Sequence, residues 1–289
     1  MESNFLTAVF LPLALFIIMI SMGMGLTLKD FRRVTVEPQA IFLGLFAQLI
    51  ILPIVGFLVA RIFSLSPKLA VGLVIIAVCP GGSTSNLISY LIKGNVALSV
   101  TLTAFSSLLT VFTIPVVVNL AMQTFLGEGT ALQFSLVETT LKIAIITIIP
   151  ISLGMIIKYY APQLANKAEK LAKYLSFFFL AIIIFGIILV ERTNLASYIY
   201  QVGGATLALN ISTMALGYGI GTMAKLSQDS VRAIAVEVGI QNGTLAIAVA
   251  SSPTFLNNST MAIPAGIYSL LMYLTCAVFG WWLASRNIS

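Results

Sequence analysis

The chain has 289 residues, of which 59% are hydrophobic and 8% charged; 15 Lys and Arg against 9 Asp and Glu leave a formal net charge of +6. A soluble protein carries about 25% charged residues. This composition cannot cover a water-facing surface, so it excludes a soluble enzyme or a nucleic-acid binder, and the basic excess suits the cytoplasmic loops of a membrane protein. The absence of His removes a histidine general base and the commonest zinc ligand.

A membrane helix needs about 20 mostly apolar residues. In chain order such runs predict nine spans, at 5–27, 38–63, 68–92, 95–124, 136–159, 171–190, 197–224, 230–251 and 261–285. The first lacks a basic leader and is too long for a signal peptide, so it reads as a retained span. None of the runs alternates with period two, which argues against a β-barrel. Short polar links are expected at 29–37, 158–170 and 225–230. Cys79 and Cys276 lie in apolar runs and read as reduced packing residues. With nine spans, 11 basic residues, among them Lys29, Arg32, Arg33, Lys93 and Arg232, fall on one side, and 4 (Arg61, Lys68, Lys142, Arg192) on the other. The positive-inside rule then places the N-terminus outside and the C-terminus in the cytoplasm, in a multi-pass protein of the inner membrane.

Two runs are abnormal. The third contains Pro80, Gly81 and Gly82, followed by Ser83, Thr84, Ser85 and Asn86. Proline removes a backbone donor and two glycines favour unwinding. The eighth contains Glu237, Gln241 and Asn242, interleaved with Gly239 and Gly243. Interrupted apolar segments in oppositely directed halves are the sequence pointer to a secondary-transporter binding site.

Glu237 is the acidic residue that falls well inside a run, and an acid at a helix centre costs about 2.5–3.5 kcal/mol on insertion scales. No Lys or Arg lies mid-run to offset it. A bound cation or a proton can do so, and a protonated Glu237 could also serve simply as a hydrogen bond between helices. Gln241 lies one turn along the same face. Gln48, Ser85, Asn86, Ser99 and Thr103 supply further oxygens in other runs. One carboxylate among neutral oxygens suits Na⁺ better than Ca²⁺. A half-helix that starts mid-membrane also presents free N–H groups and a positive dipole end to an anion. Elsewhere, Asn119, Asn210 and Ser212 read as interhelical hydrogen-bond formers, and Trp281 and Trp282 as an interfacial anchor.

At CPGGSTSN (79–86) and EVGIQNGTLA (237–246) the chain resembles the bile acid:sodium symporter family, particularly its bacterial members; KGNVALSVTLTA (93–104) and MGMGLTLKDF (22–31) are similar to the family too. The resemblance implies an all-α polytopic membrane protein, an inverted-repeat transporter with two discontinuous crossing helices. Its panel would comprise about 5–27 and 136–190, and its core about 38–124 and 197–285, in a single domain over 1–289. It also implies one sodium held by Ser85, Asn86, Ser99, Thr103 and Glu237, and a second held by Gln48, Glu237, Gln241 and the backbone carbonyls of Val238 and Ile240. The substrate would sit near Ser83, Asn242 and Tyr273. Some bacterial members begin with an extra span, and this chain is expected to start one helix later, in the nine-span form of the family's animal members; it also carries Met272 and Tyr273 where bacterial relatives place polar residues facing the substrate.

The expected function is sodium-coupled import of an organic anion, a bile acid or a small carboxylate metabolite, by alternating access. Na⁺ is then the coupling ion, with no cofactor, nucleic acid or protein partner. The alternative is a proton-coupled exporter of related architecture, with Glu237 carrying the proton. An intramembrane enzyme would want paired aspartates, an activated serine or zinc ligands, which this chain lacks.

Overall fold

A computed structural model describes residues 9–127, 135–190, 193 and 195–286. These residues are all-α, and among them are thirteen α-helices: α1 Leu11–Met24, α2 Leu28–Arg32, α3 Pro38–Phe46, α4 Leu52–Ile62, α5 Pro67–Val78, α6 Ser83–Leu91, α7 Val96–Leu126, α8 Leu136–Tyr160, α9 Pro162–Val190, α10 Leu195–Met223, α11 Gln228–Gly239, α12 Gly243–Ser251 and α13 Ser259–Arg286. Local chemistry sets many of the starts. Pro38 and Pro67 occupy first-turn positions where a missing N–H costs nothing. Asn95, Ser135 and Asn242 each cap a helix by accepting a hydrogen bond from a backbone N–H three residues on.

The structure corrects the expected nine spans. Among the described residues four helices are long and apolar enough to cross a membrane: Pro38–Ile62, Val96–Leu126, Leu136–Tyr160 and Ser259–Ser285. A fifth arises if Leu11–Met24 and Leu28–Thr35 count together, but these bend by 69°. Apolar composition counts residues without registering where the backbone unwinds. The runs at 68–92 and 230–251 are each two short helices, of 12 and 9 residues in both cases. The run at 171–190 falls within α9 and that at 197–224 ends one residue past α10, and among the described residues neither is one of the helices that qualify. α10 is diluted by Gln201, Asn210 and its glycines, and several side chains of α9 lie outside the described residues. The link expected at 158–170 is helical on both sides of Ala161. Residues 5–8 of the first expected span, with Glu2, Glu128, Glu191 and Arg192, lie outside the described residues.

Burial separates the helices into two kinds. Every residue of α12 is buried, as are nine of the twelve in α11 and ten of the twelve in α5. The long helices instead expose large apolar side chains outward, among them Phe42, Phe112, Ile145 and Leu274. A helix apolar all round belongs in a core, and wide apolar outer faces belong against lipid. This is a multi-pass membrane protein.

Within α3–α4, residues Ala47–Ile51 form a π-helical turn, closed by Leu52 N–H donating to the Ala47 carbonyl. Such turns recur at functional positions, and this one carries Gln48. α1 packs against α8 and α9. The α1–α8 contact is backbone to backbone: a Cβ built at Gly154 would fall on the Ile20 carbonyl, and one at Gly23 on that of Ile151. Small residues allow helices in lipid to approach this closely. Gly154→Ala therefore forces the pair apart at about 1–3 kcal/mol. Its thermal midpoint in detergent, read by scanning fluorimetry, is expected to fall by about 2–10 °C.

Candidate functional site

The α5–α6 and α11–α12 pairs are interrupted at the same place in the molecule. Cys79 is extended after α5, and Ile240 is extended after α11. Between them Gly81 and Gln241 form an isolated antiparallel bridge. Asn242 N–H donates to the Pro80 carbonyl at 2.9 Å. Each break thus supplies a partner for backbone groups that the other leaves orphaned.

Glu237 sits one turn before its break and is 1% exposed. Thr103 donates to its Oε1 at 2.6 Å, and Ser85 and Ser99 donate to its Oε2 at 2.7 and 2.9 Å. Those three hydroxyls are wholly buried. The Asn86 amide oxygen lies 2.9 Å from Ser99 Oγ and 3.4 Å from Thr103 Oγ1. The Gly82 carbonyl lies 2.7 Å from Ser85 Oγ. Acceptors therefore outnumber the hydroxyl protons facing them, since each hydroxyl donates once. Among the described residues the ion pairs are Arg33–Glu37 and Lys142–Glu138, neither of them here. No cluster of three or more His, Cys, Asp or Glu occurs among those residues either. One carboxylate ringed by neutral oxygens, without a basic side chain, fits a monovalent hard cation. Gly81 makes the approach possible, because a Cβ there would collide with Glu237 Oε1.

A second group lies on the same break. Gln48, on the π-turn, donates from Nε2 to Gln241 Oε1 at 2.7 Å and to the Cys79 carbonyl at 3.1 Å. Gln241 donates to the Val238 carbonyl at 2.7 Å. Among the described residues no hydrogen bond joins Glu237 to Gln48 or Gln241. The expected sites thus divide into Ser85, Asn86, Ser99, Thr103 and Glu237 in one cluster, and Gln48, Val238 and Gln241 in the other, with Ile240 between Val238 and Gln241 in the chain.

Of the expected substrate residues, Asn242 and Tyr273 border a cavity of about 40 Å³. Gly82, Thr84, Asn242, Gly243, Thr244 and Tyr273 line one wall, and Ile18 and Met22 of α1 and Leu180 of α9 line the other. The Asn242 side chain caps α12 through Leu245 N–H at 3.0 Å. Tyr273 donates to Thr84 Oγ1 at 3.4 Å. The side chain of Ser83 lies outside the described residues. Sequence reasoning passed over Thr84 and Thr244 in this wall and Ser89, whose hydroxyl donates to Ser99 Oγ at 3.3 Å. Their position, in the first turns after each break or one turn from Ser85, was the available signal.

The chain matches the family model described as Sodium Bile acid symporter family over residues 12–198. It is 32% identical over 260 residues to an uncharacterized sodium-dependent transporter, YocS, of Bacillus subtilis (strain 168), covering 89% of this chain and 78% of that one. It is 30% identical over 253 residues to the probable sodium/metabolite cotransporter BASS1, chloroplastic, of Oryza sativa subsp. japonica, covering 87% of this chain and 60% of that one. It is 27% identical over 299 residues to the ileal sodium/bile acid cotransporter of Homo sapiens, covering 99% of this chain and 84% of that one.

Proposed function

The chain belongs to the Sodium Bile acid symporter family, which makes it a sodium-coupled secondary transporter of an organic anion and not an enzyme, and we propose how its residues carry out that transport. The observation that supports the reading is the buried Glu237 carboxylate, bonded by three hydroxyls and, among the described residues, by no Lys or Arg, where two interrupted helices meet.

One sodium binds among Glu237, Ser85, Asn86, Ser99 and Thr103. The second binds Gln48, Gln241 and the carbonyls of Val238 and Ile240, with Glu237 shared between the two. For the second, the two glutamine amides exchange their mutual hydrogen bond for the ion. Filling both sites holds the extended residues of both breaks in place. The N-termini of α6 and α12, with Ser83, Asn242 and Tyr273, then receive the anion. A cavity of about 40 Å³ has room for only a few waters. The anion therefore enters when the α1 and α9 wall withdraws from the broken helices. We take α1, α8 and α9 as the body that moves against the rest, and import as the direction.

The basic residues at one end support our reading of the orientation. Asn95 donates to Glu37 and to Ser230, and its N–H donates to the Asp229 carbonyl. Arg33 reaches Asn95, and Arg232 reaches the Ile92 carbonyl. Arg33, Lys93, Lys225 and Arg232 thus lie on segments drawn to one end. The positive-inside rule makes this end cytoplasmic in the inner membrane. α1 leads into it from outside. Gly280 of α13 lies against Ile92 there, which supports reading the C-terminus as cytoplasmic.

The test is a thermal-shift screen of organic anions on the purified protein, in NaCl and in matched choline chloride. Carboxylates of bile-acid and of small-metabolite size form the two arms. Stabilisation by an anion in sodium but not in choline is expected. Equal stabilisation in both, or uptake into vesicles driven by a pH gradient in choline, overturns this assignment of the sites.

A further inference from the structure

We infer that Tyr268 and Asn210 are positioning residues for the second sodium, acting as a clamp on the carbonyl of Gly239; the inference rests on the two-sodium reading above. Neither residue touches the proposed ions or the anion cavity. Both are wholly buried, Asn210 on α10 and Tyr268 on α13. Asn210 Nδ2 donates to the Gly239 carbonyl at 2.6 Å and to Tyr268 Oη at 2.9 Å, and Tyr268 Oη donates to the same carbonyl at 2.9 Å. Thr275 donates to Asn210 Oδ1 and fixes the amide's orientation.

A carbonyl oxygen has two acceptor sites. Both are filled at Gly239, so this oxygen is withdrawn from any cation. Its neighbours differ. The Val238 carbonyl accepts from the movable Gln241 amide. Ile240 is extended, with φ −108° and ψ 111°, so its carbonyl turns away from that of Gly239 as successive carbonyls do in extended chain. The peptide is planar, so pinning the Gly239 oxygen also fixes the plane from which Ile240 departs. The clamp thereby decides which carbonyls at the end of α11 are offered to the ion. Tight packing holds it there. A Cβ at Gly239 would fall on Met214, and one at Gly243, across the break, on Ser269, the neighbour of Tyr268. Among the described residues the α5–α6 break has no matching pair of side-chain donors on one carbonyl.

The test follows the thermal midpoint of the purified full-length protein across a sodium titration balanced with choline, for wild type, Tyr268→Phe and Asn210→Ala. Tyr268→Phe deletes one oxygen from a packed ring, so it decides the question if Asn210→Ala fails to fold. For both variants half-saturating sodium is expected to rise about three- to tenfold, as for a lost buried hydrogen bond. The Hill coefficient is expected to fall from near two toward one. In sodium-free buffer the Tyr268→Phe midpoint is expected to fall by less than it does in high sodium. A variant curve that overlays the wild-type sodium curve, or that is lowered equally at every sodium concentration, overturns the clamp and leaves the transport reading standing. A wild-type curve without sodium dependence overturns the underlying two-sodium reading itself.

Discussion

Replacing Glu237 with Gln is expected to abolish sodium-dependent uptake while leaving a folded protein. Glutamine keeps the shape; its carbonyl oxygen accepts on one side, and on the other its NH2 donates to hydroxyl oxygens that reorient, where the carboxylate accepted from Ser85, Ser99 and Thr103 at 2.6 to 2.9 Å. What it loses is the charge that a bound ion needs in a site excluded from water. Removing one partner of a buried charge pair costs about 3–5 kcal/mol, so half-saturating sodium should rise by at least about a hundredfold. In sodium-free buffer the sign reverses. There the native carboxylate is a buried charge with no cationic partner among the described residues, and the amide removes that cost. The Glu237→Gln midpoint in choline should therefore equal or exceed that of wild type, and the stabilisation by sodium should vanish. Two titrations of thermal midpoint and one uptake assay check all three outcomes. Sodium-driven uptake that survives in this variant would remove Glu237 from the mechanism.

The second large effect is expected from Gly81→Ala, with its neighbour as the control. A methyl at Gly81 would overlap Glu237 Oε1, the atom bonded by Thr103, so the carboxylate must leave its place or the bridge to Gln241 must open. Either response disturbs both sodium sites. With about 1–3 kcal/mol of overpacking, half-saturating sodium should rise about tenfold or more. At Gly82 the nearest atoms to an added methyl are Thr84 Oγ1 at 3.4 Å and the Gln241 carbonyl at 3.6 Å, which is ordinary contact. Gly82→Ala should accordingly bind sodium within about threefold of wild type, a difference below about 0.7 kcal/mol. Sodium titrations that treat the two glycines alike would contradict the site's geometry.

Parts of this site could be read before any coordinates. A lone acid inside an apolar run must be neutralised by something, which singled out Glu237. Pro80 with two following glycines announced an unwound backbone. The spans were misread for the same physical reason that the breaks were noticed. Hydropathy sums composition along a run, so 68–92 and 230–251 counted as single crossings although each is wound as two short helices. The bend at Gly25–Thr27 was equally invisible to it. The π-turn around Gln48 left no mark in composition, because its extra residue changes hydrogen bonding and not polarity. Thr84 and Thr244 were passed over because threonines within apolar helices ordinarily satisfy themselves on a carbonyl one turn back. Asn210 was taken as a bond between helices, and it is one; that its partner would be the carbonyl at the end of α11 depends on the approach of α10 to α11, which no local pattern encodes. Tyr268 carried no sequence signal at all.

The pairing of the two breaks also bears on how the chain is made. Ser85 and Glu237 lie 152 positions apart, and the Pro80 carbonyl finds its donor on Asn242. During synthesis, then, α5 and α6 emerge and enter the bilayer long before their partners exist. Until α11 and α12 follow, the nascent first half must keep a cluster of hydroxyls and loose backbone carbonyls wetted by water or sheltered by the insertion machinery. Late closure of this kind makes the transporter's assembly depend on its last third, so a chain halted before residue 237 would remain a substrate for quality control.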